Sequence, residues 1–351
     1  MVRVLMKGTE AMAEAAIRAG CSAYFGYPIT PQTELIHYMS RRMPEAGGVF
    51  LQAESEVSVI NMVYGAAAAG VRVMTSSSSP GVSLMQEGIS YLVGAELPAV
   101  LINVMRGGPG LGNIQPSQSD YFQSTKGGGH GDYKLITFAP SSVSEAASMV
   151  YDAFDITEKY RHPVMILADG ALGQIMEPVS LPEQGASKPS VKNWALTGAK
   201  GRPANKIFSF YLDPKGLEEH NLHLQEKFKN IDDEIKYEED ISDDMEILVV
   251  AYGTVARILK NAVQKLRGEG KKVGIFRPIS LWPFPESALK SASMKAKQVF
   301  VSEMSYGQML EDVRRIVPDE IEVKFYGRAG GVVPSPNELY IKLKSLLERG
   351  V

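Results

Sequence analysis

Short apolar runs alternate with longer amphipathic segments along the first 180 residues of the chain. The runs have the length of strands, and the segments between them carry the caps and stops of helices. The predicted strands are an N-terminal one ending at Lys7-Gly8, Ala23–Tyr27, Val49–Gln52, Val71–Thr75, Pro98–Met105, Leu135–Phe138 and Pro163–Leu167. The predicted helices are Thr9–Ala19, Pro31–Met43, Ser55–Ala69, Val82–Leu92 and Ser142–Thr157. This order predicts an α/β domain with a mainly parallel sheet.

The pattern changes after about residue 171 and resumes at Met245. Prolines and lysines come first, and then the charged stretch His220–Asp240 predicts a surface helix or an extended arm. Such a stretch is either a solvated linker or an arm that packs on a partner subunit. The final segment predicts a second α/β domain with strands 246–251, 272–276, 296–303 and 321–326 and helices 253–266, 307–317 and 336–349. The predicted division is therefore 1–180, a linker or arm at 181–244, and 245–351.

The charge and composition of the chain argue against several classes of function. The 351-residue chain has a formal net charge of -3, which gives no basic face for nucleic acid. No apolar run approaches the roughly 20 residues of a membrane span, and the N-terminus lacks the long apolar region of a signal peptide. A cytoplasmic protein is therefore expected.

The single cysteine, Cys21, is read as a small buried hydrophobe. One cysteine excludes a disulfide within the chain and an iron–sulfur cluster held by its own thiolates alone. The five histidines are scattered without metal-ligand spacing, so no metal site is predicted on this chain.

Four loops follow predicted strands, at the edge where parallel sheets bind ligands. In the turn Tyr27–Pro31, the Thr30 hydroxyl either caps the next helix or contacts an anion at the helix start. In Glu54-Ser55-Glu56 the helix dipole accounts for one acid and leaves open whether the other faces a site. The hydroxyl-rich segment Ser76–Gly81 is either an anion cradle or a plain turn, and it is not a P-loop.

The fourth loop, Arg106–Gly112, sends a guanidinium from an apolar strand into a glycine loop. Arginine binds carboxylates through paired hydrogen bonds, and glycines allow a ligand to approach the backbone. A structural ion pair is the alternative. His130, in the later glycine loop, is either a site base or a polar loop residue.

Taken together, these segments resemble the α subunit of the 2-oxoacid:ferredoxin oxidoreductases over nearly the whole chain. The matching segments are Tyr27-Pro28-Ile29-Thr30-Pro31, Ser55-Glu56, Glu87-Gly88, Glu96-Leu97-Pro98, Arg106-Gly107-Gly108-Pro109, Gly129-His130-Gly131-Asp132 and Ser302-Glu303-Met304-Ser305-Tyr306-Gly307-Gln308. Within the family, the serine run before Pro80-Gly81 is most similar to the branched-chain (3-methyl-2-oxobutanoate) members.

The resemblance implies a pyrimidine-binding fold for thiamine diphosphate, followed by a smaller domain like the C-terminal domain of transketolase. Glu56 would hydrogen-bond N1′ of the aminopyrimidine and so promote loss of the thiazolium C2 proton. Pro28 and Ile29 would contact the cofactor beside it. The implied reaction is oxidative decarboxylation of a 2-oxoacid to an acyl-coenzyme A, with electrons passing to ferredoxin.

The resemblance also assigns the substrate contacts. Thr30 and Arg106 would hold the carboxylate as catalytic residues alongside Glu56, and Ser78 and Ser79 would shape the side-chain end of the pocket. A 2-oxoglutarate specificity would call for a second cation in that pocket, and a non-catalytic scaffold subunit is the remaining alternative.

The family's diphosphate and Mg²⁺ site needs a Gly-Asp-Gly segment and a following asparagine. This chain has only Ala168-Asp169-Gly170. The resemblance therefore implies a β subunit that supplies the diphosphate and Mg²⁺ site, with [4Fe-4S] clusters on that subunit and on a ferredoxin-like one. The active site would lie between α and β subunits.

Overall fold

A computed structural model describes residues 3–185 and 192–349. The first two residues of the predicted N-terminal strand, residues 186–191 of the predicted linker and the last two residues of the chain lie outside the described residues. The strands are β1 (Val4–Lys7), β2 (Ala23–Gly26), β3 (Val49–Gln52), β4 (Val73–Ser77), β5 (Val100–Met105), β6 (Ile136–Phe138), β7 (Val164–Asp169), β8 (Met176–Val179), β9 (Tyr237–Asp240), β10 (Met245–Val250), β11 (Val273–Pro278), β12 (Ser280–Trp282), β13 (Ala296–Glu303) and β14 (Glu322–Gly327).

Helices connect and cover these strands. They are α1 (Gly8–Arg18), α2 (Thr33–Glu45), α3 (Glu56–Ala68), α4 (Ser79–Gly94), α5 (Tyr121–Thr125), α6 (Val143–Tyr160), α7 (Gly170–Gln174), α8 (Pro214–Lys229), α9 (Gly253–Gly268), α10 (Glu286–Ser293), α11 (Gln308–Ile316) and α12 (Pro336–Arg349), with a 3₁₀ turn at Asn230–Glu234. None of these described helices has the length and apolar character needed to cross a bilayer.

The first domain is built on a seven-stranded sheet with the order β12-β6-β7-β5-β4-β2-β3. All its pairings are parallel except that of β12 with β6. Strands β5 and β7 at its centre are buried at every residue, which explains their continuous apolar sequence. The predicted α/β architecture is confirmed, and the carboxyl ends of β2, β4 and β5 meet at one edge.

The second domain has a five-stranded sheet with the order β14-β13-β10-β11-β9. The pairs among its inner strands are parallel, and β9 joins its edge antiparallel to β11. Strand β1 lies outside both large sheets and pairs antiparallel with β8.

Two strands belong to a sheet outside the predicted sequence segment in which they lie. β9 lies in the predicted linker but belongs to the second sheet, whereas β12 lies in the second domain's sequence and extends the first sheet. Within the charged stretch, the helix α8 and the 3₁₀ turn precede β9. Each large sheet is thus completed by a strand whose sequence lies outside its own predicted segment.

Local boundaries differ from the predictions at two points that concern the site. Helix α2 begins at Thr33 with Gln32 in the cap position, so the expectation that Thr30 caps this helix is wrong. Helix α4 begins at Ser79 and not at Val82, because Ser78 has extended backbone and ends the preceding segment. The short elements α5, α7, α10, β8, β9 and β12 were not predicted.

Hydrogen bonds from the segment after β5 fix the two domains together. Gln118 exchanges bonds with Met304, its amide donating to the Met304 carbonyl at 2.9 Å and its Oε1 accepting from the Met304 amide at 2.9 Å. Its Nε2 also donates to the Tyr252 carbonyl at 3.0 Å. From the second domain, Gln308 Nε2 donates to the Ser119 carbonyl at 2.7 Å. The segment 117–120 is therefore positioned by both domains.

Candidate active site

The turn Tyr27–Pro31 leaves β2 at the carboxyl edge of the first sheet, and three side chains bind its carbonyl groups. Gln32 Nε2 donates to the Tyr27 carbonyl at 3.3 Å, and Gln174 Nε2 donates to the Pro31 carbonyl at 2.9 Å. Arg106 Nη1 donates to the Thr30 carbonyl at 2.9 Å. Because its carbonyls are fixed from three directions, the turn is preorganised.

Side chains of this turn remain available at the surface. Pro28 and Thr30 are exposed and Ile29 is half-buried, while Gln32 beneath them is fully buried. Gln32 Oε1 accepts a hydrogen bond from Ser76 at 2.7 Å, which links the turn to β4. Gln32 is a functional candidate that sequence reasoning missed, because only tertiary contacts show its role.

Glu56 is the first residue of α3, directly after β3. Ser55 caps this helix by accepting the Ser58 amide at 3.3 Å, and Glu56 is 5% exposed whereas Glu54 is exposed. No hydrogen bond or ion pair joins the Glu56 carboxylate to any described residue. A Cβ added to Gly81 would come within 2.5 Å of Glu56 Oε1, so a larger residue at this position would displace the Glu56 carboxylate from its place beside α4.

The serine segment at the end of β4 is buried. The Ser76 hydroxyl is satisfied by Tyr24 and Gln32, both at 2.7 Å. The hydroxyls of Ser77 and Ser78 are buried without any partner among the described residues. Buried polar groups are normally hydrogen-bonded, so these two hydroxyls have hydrogen-bonding capacity that the described chain does not use.

Arg106 is only 8% exposed, and no carboxylate pairs with it among the described residues. Its guanidinium donates to two carbonyls, those of Thr30 at 2.9 Å and Leu111 at 3.0 Å, and its Nε has no partner. The alternative of a structural ion pair therefore fails in the described chain. A buried guanidinium that is bonded only to neutral carbonyls has no counter-ion, so it can pair with an anionic ligand.

A hydrogen-bond network beside Arg106 was not predicted from the sequence. The Arg106 amide donates to Ser79 Oγ at 3.0 Å, and that hydroxyl lies 2.5 Å from Asp120 Oδ2. Asn103 Nδ2 donates to the same Asp120 oxygen at 2.9 Å, and Asn103 Oδ1 accepts the Ser79 amide at 3.1 Å. Burial raises the pKa of Asp120, and the bonds from Ser79 and Asn103 oppose that shift.

A cavity of about 760 Å³ opens between the two domains, next to this network. Ser79 and Asp120 form one wall, the glycine loop after Arg106 a second, and Tyr306 and Gln308 from the second domain a third. Tyr306 is 85% exposed at the rim. This volume is sufficient for a small organic acid, with space left over.

Three other predicted positions have different surroundings. Asp169 caps α7 by accepting the amides of Ala171 and Leu172 at 3.0 and 3.1 Å, so its buried carboxylate is used inside the fold. His130 is exposed against the outer side of α4, where its ring lies edge-on to Tyr91. Cys21 is buried, as expected, and burial raises its pKa to about 12.

The described residues hold no group of three or more His, Cys, Asp or Glu side chains placed to bind a metal ion. The site thus consists of the buried Glu56 carboxylate, the buried Arg106 guanidinium, a cluster of hydroxyls and the Asp120 carboxylate bonded to Ser79. Arg106 contacts both Thr30, through its guanidinium, and Ser79, through its backbone amide. Glu56, the first residue of α3, lies beside Gly81 in the first turn of α4, the helix that begins at Ser79.

Comparison with known proteins decides the family. Residues 14–245 match the family described as "Pyruvate flavodoxin/ferredoxin oxidoreductase, thiamine diP-bdg", and residues 245–339 match "Pyruvate:ferredoxin oxidoreductase core domain II". The chain is an α-type subunit of the 2-oxoacid:ferredoxin oxidoreductase family. The resemblance found in the sequence is confirmed, and the first domain of this oxidoreductase subunit is of the thiamine-diphosphate-binding type.

Similar curated proteins cover almost the same length as this oxidoreductase subunit. The ketoisovalerate oxidoreductase subunit VorB of Methanothermobacter thermautotrophicus is 47% identical over 99% of this chain and 97% of its own. The 2-oxoglutarate synthase subunit KorA of Methanocaldococcus jannaschii is 37% identical over 95% and 97%. The pyruvate synthase subunit PorA of Pyrococcus horikoshii is 30% identical over 92% and 87%.

Solved structures agree with this assignment. The 2-oxoglutarate:ferredoxin oxidoreductase from Magnetococcus marinus, with 2-oxoglutarate, coenzyme A and succinyl-CoA bound, superimposes with a TM-score of 0.86 at 28% identity. The match covers 98% of this subunit and 65% of that chain. An inactive β4 tetramer of a split-gene transketolase shares the fold, with a TM-score of 0.60 at 14% identity over 98% of both chains.

The residues of this oxidoreductase subunit fit one half of thiamine diphosphate. The buried, unpaired Glu56 carboxylate can bind a ring nitrogen, and the unpartnered hydroxyls of Ser77 and Ser78 offer further polar contacts. The diphosphate half does not fit here, because Asp169 is committed to capping α7. The aminopyrimidine is therefore the part of the cofactor that this subunit can hold.

Proposed function

We propose that this subunit works in a complex that oxidatively decarboxylates 3-methyl-2-oxobutanoate to an acyl-coenzyme A and carbon dioxide, passing electrons one at a time to ferredoxin. The observation that carries the proposal is the Arg106 guanidinium, which is buried, lacks an ion pair among the described residues and has a free Nε. Such a group beside Thr30 suits the carboxylate that every 2-oxoacid carries. The VorB relatives support the branched-chain substrate.

Arg106 and Thr30 are proposed to hold the substrate carboxylate. The Thr30 carbonyl accepts from Arg106 at 2.9 Å, which fixes the guanidinium while the exposed Thr30 hydroxyl is free to donate. Fixing the carboxylate places the neighbouring carbonyl carbon in one orientation for reaction. The Ser78 and Ser79 hydroxyls lie on the adjacent wall, where the substrate side chain would extend.

Glu56 is proposed to hold a proton at the cofactor's pyrimidine nitrogen N1′. When bound, thiamine diphosphate supplies the reactive carbon and the electron sink for decarboxylation. Pro28 and Ile29, in the turn whose carbonyls are fixed, would pack against the ring. Because Glu56 is 5% exposed, its carboxylate is shielded from competing water.

The remaining parts are assigned to partner subunits. A β subunit would bring the diphosphate and Mg²⁺ site and one [4Fe-4S] cluster, and a ferredoxin-like subunit would carry further clusters. Coenzyme A and ferredoxin would meet the assembled complex, which we place in the cytoplasm. The curated relatives are themselves named as subunits, which supports a shared site.

Two other functions are weighed against this one. A 2-oxoglutarate specificity is favoured by the KorA relatives, at 37% identity, but the described lining of the cavity beside Ser79 contains no cationic side chain. A scaffold role would leave the Glu56 and Arg106 chemistry without purpose. Both alternatives make different predictions in a single assay.

The test is co-expression with the neighbouring subunits, followed by viologen reduction that depends on a 2-oxoacid and coenzyme A. The expected result is the highest kcat/KM with 3-methyl-2-oxobutanoate among a panel that includes 2-oxoglutarate and pyruvate. Failure with every 2-oxoacid, in a complex that holds thiamine diphosphate and its clusters, would overturn the proposal.

A further inference from the structure

We infer that Asp120 is a specificity-determining residue that disfavours 2-oxoacids with a second carboxylate and so selects neutral side chains. The inference rests on the proposed function, since it requires that the substrate side chain extend into the cavity beside Ser79. It adds a residue that no sequence motif singled out, and it explains selectivity by charge as well as by pocket shape.

The position of Asp120 relative to the reaction site comes from one continuous set of contacts. Arg106 donates its amide to Ser79 Oγ at 3.0 Å, and Ser79 Oγ lies 2.5 Å from Asp120 Oδ2. Both Ser79 and Asp120 line the cavity of about 760 Å³. The backbone of Arg106 thus borders the wall that carries Asp120, and we infer that a substrate whose carboxylate is held by the Arg106 guanidinium extends its other end along this wall.

Charge in this cavity is one-sided. Its described lining contains Asp120 and no lysine, arginine or histidine; the other lining residues are neutral. A distal carboxylate placed here would meet a like charge, with no cation in this subunit's described lining to offset it, which costs binding free energy. Protonation of Asp120 would not avoid the cost, because the proton uptake itself would then be coupled to binding.

An isopropyl group meets no such cost in the same place. Glycines and prolines, among them Pro80 and Pro109, form much of the lining and present carbon atoms to the cavity. Selectivity therefore arises from what the wall repels as well as from what it accepts.

The position of Asp120 is fixed by both domains. Within the first domain, Asn103 Nδ2 donates to Asp120 Oδ2 at 2.9 Å. From the second domain, Gln308 binds the flanking residues: its Nε2 donates to the Ser119 carbonyl at 2.7 Å and its Oε1 accepts the Phe122 amide at 2.9 Å. The carboxylate is thus held against the cavity and cannot turn away from an unfavourable ligand without breaking these bonds.

The experiment measures kcat/KM for 2-oxoglutarate and for 3-methyl-2-oxobutanoate in the assembled complex, for wild type and Asp120→Asn. Asparagine keeps an oxygen that can accept from Ser79 and Asn103 but removes the charge. The ratio favouring 2-oxoglutarate should rise by about tenfold or more, mainly through a lower KM for 2-oxoglutarate. A merely structural role would lower both values together and leave the ratio unchanged.

Asp319→Asn is the matched control, because Asp319 is exposed in the turn between α11 and β14 and outside the cavity lining. Its ratio should equal that of wild type. A second variant, Ser83→Lys, adds a cation at an exposed position of the same cavity and should shift the ratio in the same direction as Asp120→Asn. If the Asp120 variant fails to assemble, Ser83→Lys still tests the premise of the inference, namely that the distal end of the substrate enters this cavity.

Each outcome has one meaning. A ratio within about twofold of wild type, in Asp120→Asn or, if that variant does not assemble, in Ser83→Lys, overturns the inference while the proposed function stands. A wild-type complex that prefers 2-oxoglutarate also overturns it and leaves the family reaction intact. A complete complex inactive with every 2-oxoacid overturns the proposed function itself.

Discussion

Two buried polar motifs lie at strand ends in the two domains, and they differ in how their hydrogen bonds are satisfied. At the end of β13, Glu303 is fully buried, and its carboxylate accepts from the Ser305 hydroxyl at 2.7 Å and from the Met309 and Leu310 amides at 3.1 Å. These bonds cap the start of α11. At the end of β4 in the first domain, the Ser77 and Ser78 hydroxyls have no partner in the described chain.

The difference separates stabilising residues from candidate functional residues. A buried group whose bonds are all made within its own chain contributes to folding, whereas one left open is completed by something else or costs stability. Both motifs matched the family, so family membership alone does not distinguish them. The Glu303 carboxylate stabilises the start of α11, whereas the open hydroxyls of Ser77 and Ser78 border the candidate half-site; beside Glu303, only the Ser302 hydroxyl is likewise without a partner in the described chain.

The largest expected effect comes from Glu56→Gln, on the open side of the comparison. Loss of the carboxylate should lower viologen reduction by the assembled complex by a factor of about 10² to 10⁴, because proton transfer at the cofactor loses its partner. The exposed neighbour Glu54→Gln is the control and should retain activity. Unchanged 2-oxoacid oxidation in Glu56→Gln would remove Glu56 from catalysis.

Arg106→Lys should have the next largest effect. Lysine keeps the charge but loses the planar fork that reaches Thr30 and Leu111 at once, so kcat/KM for every 2-oxoacid should fall by roughly 10- to 100-fold. Steady-state kinetics on the complex measure it. Arg315→Lys, at a surface ion pair with Glu286, serves as the control. Equal losses in both variants would contradict a site role for Arg106.

On the satisfied side, Glu303→Gln should reduce stability. An amide cannot accept through both of its terminal atoms, so one of the α11 bonds is lost, at a cost of about 1–3 kcal/mol. The midpoint of thermal unfolding should fall relative to wild type and to Glu311→Gln, an exposed acid on the same helix. An unchanged midpoint would show that the Glu303 bonds do not support the fold.

The smallest expected effect on stability is that of Ser78→Ala. Its buried hydroxyl has no partner in the described chain, so removing it should leave the free energy of unfolding of the subunit unchanged or slightly raised. Ser305→Ala, which removes a donor to Glu303, should instead destabilise by about 1 kcal/mol. Denaturation of the two variants side by side measures the contrast. A similar loss in Ser78→Ala would abolish the distinction between the two motifs.

Much of the fold could be predicted because the local pattern of apolar and polar residues and the helix caps indicate it. The buried strands β5 and β7 and the capped helices α3 and α6 appear in the sequence with nearly their observed bounds. The three-residue strand β12 has no such signal, because its pairing with β6 depends on contacts far away in sequence. Strand β9 lies in a charged segment and was not predicted for the same reason, because its pairing with β11 is also a contact distant in sequence.

The site was predictable in part. Glu56 and Arg106 follow strands in recognisable motifs, and the structure shows both buried and without ion pairs in its described part. Asp120 and Gln32 carried no motif, and their importance comes from hydrogen bonds to Ser79, Asn103 and Ser76 that only the folded chain brings together. Thr30 illustrates the opposite error, since its position before a predicted helix suggested a cap that the backbone does not form.

Because β12 from the second part of the sequence pairs with β6 in the first sheet, it limits how segments of related subunits can be joined into chimeras. A graft of residues 245–351 from a relative would carry Ser280–Trp282 with it and so replace the edge strand of the recipient's first sheet. Truncation at the same point would leave β6 as a bare edge, which invites pairing between chains. Chimeric subunits should therefore take β6 and β12 from the same parent protein, so that the edge of the first sheet keeps its native pairing.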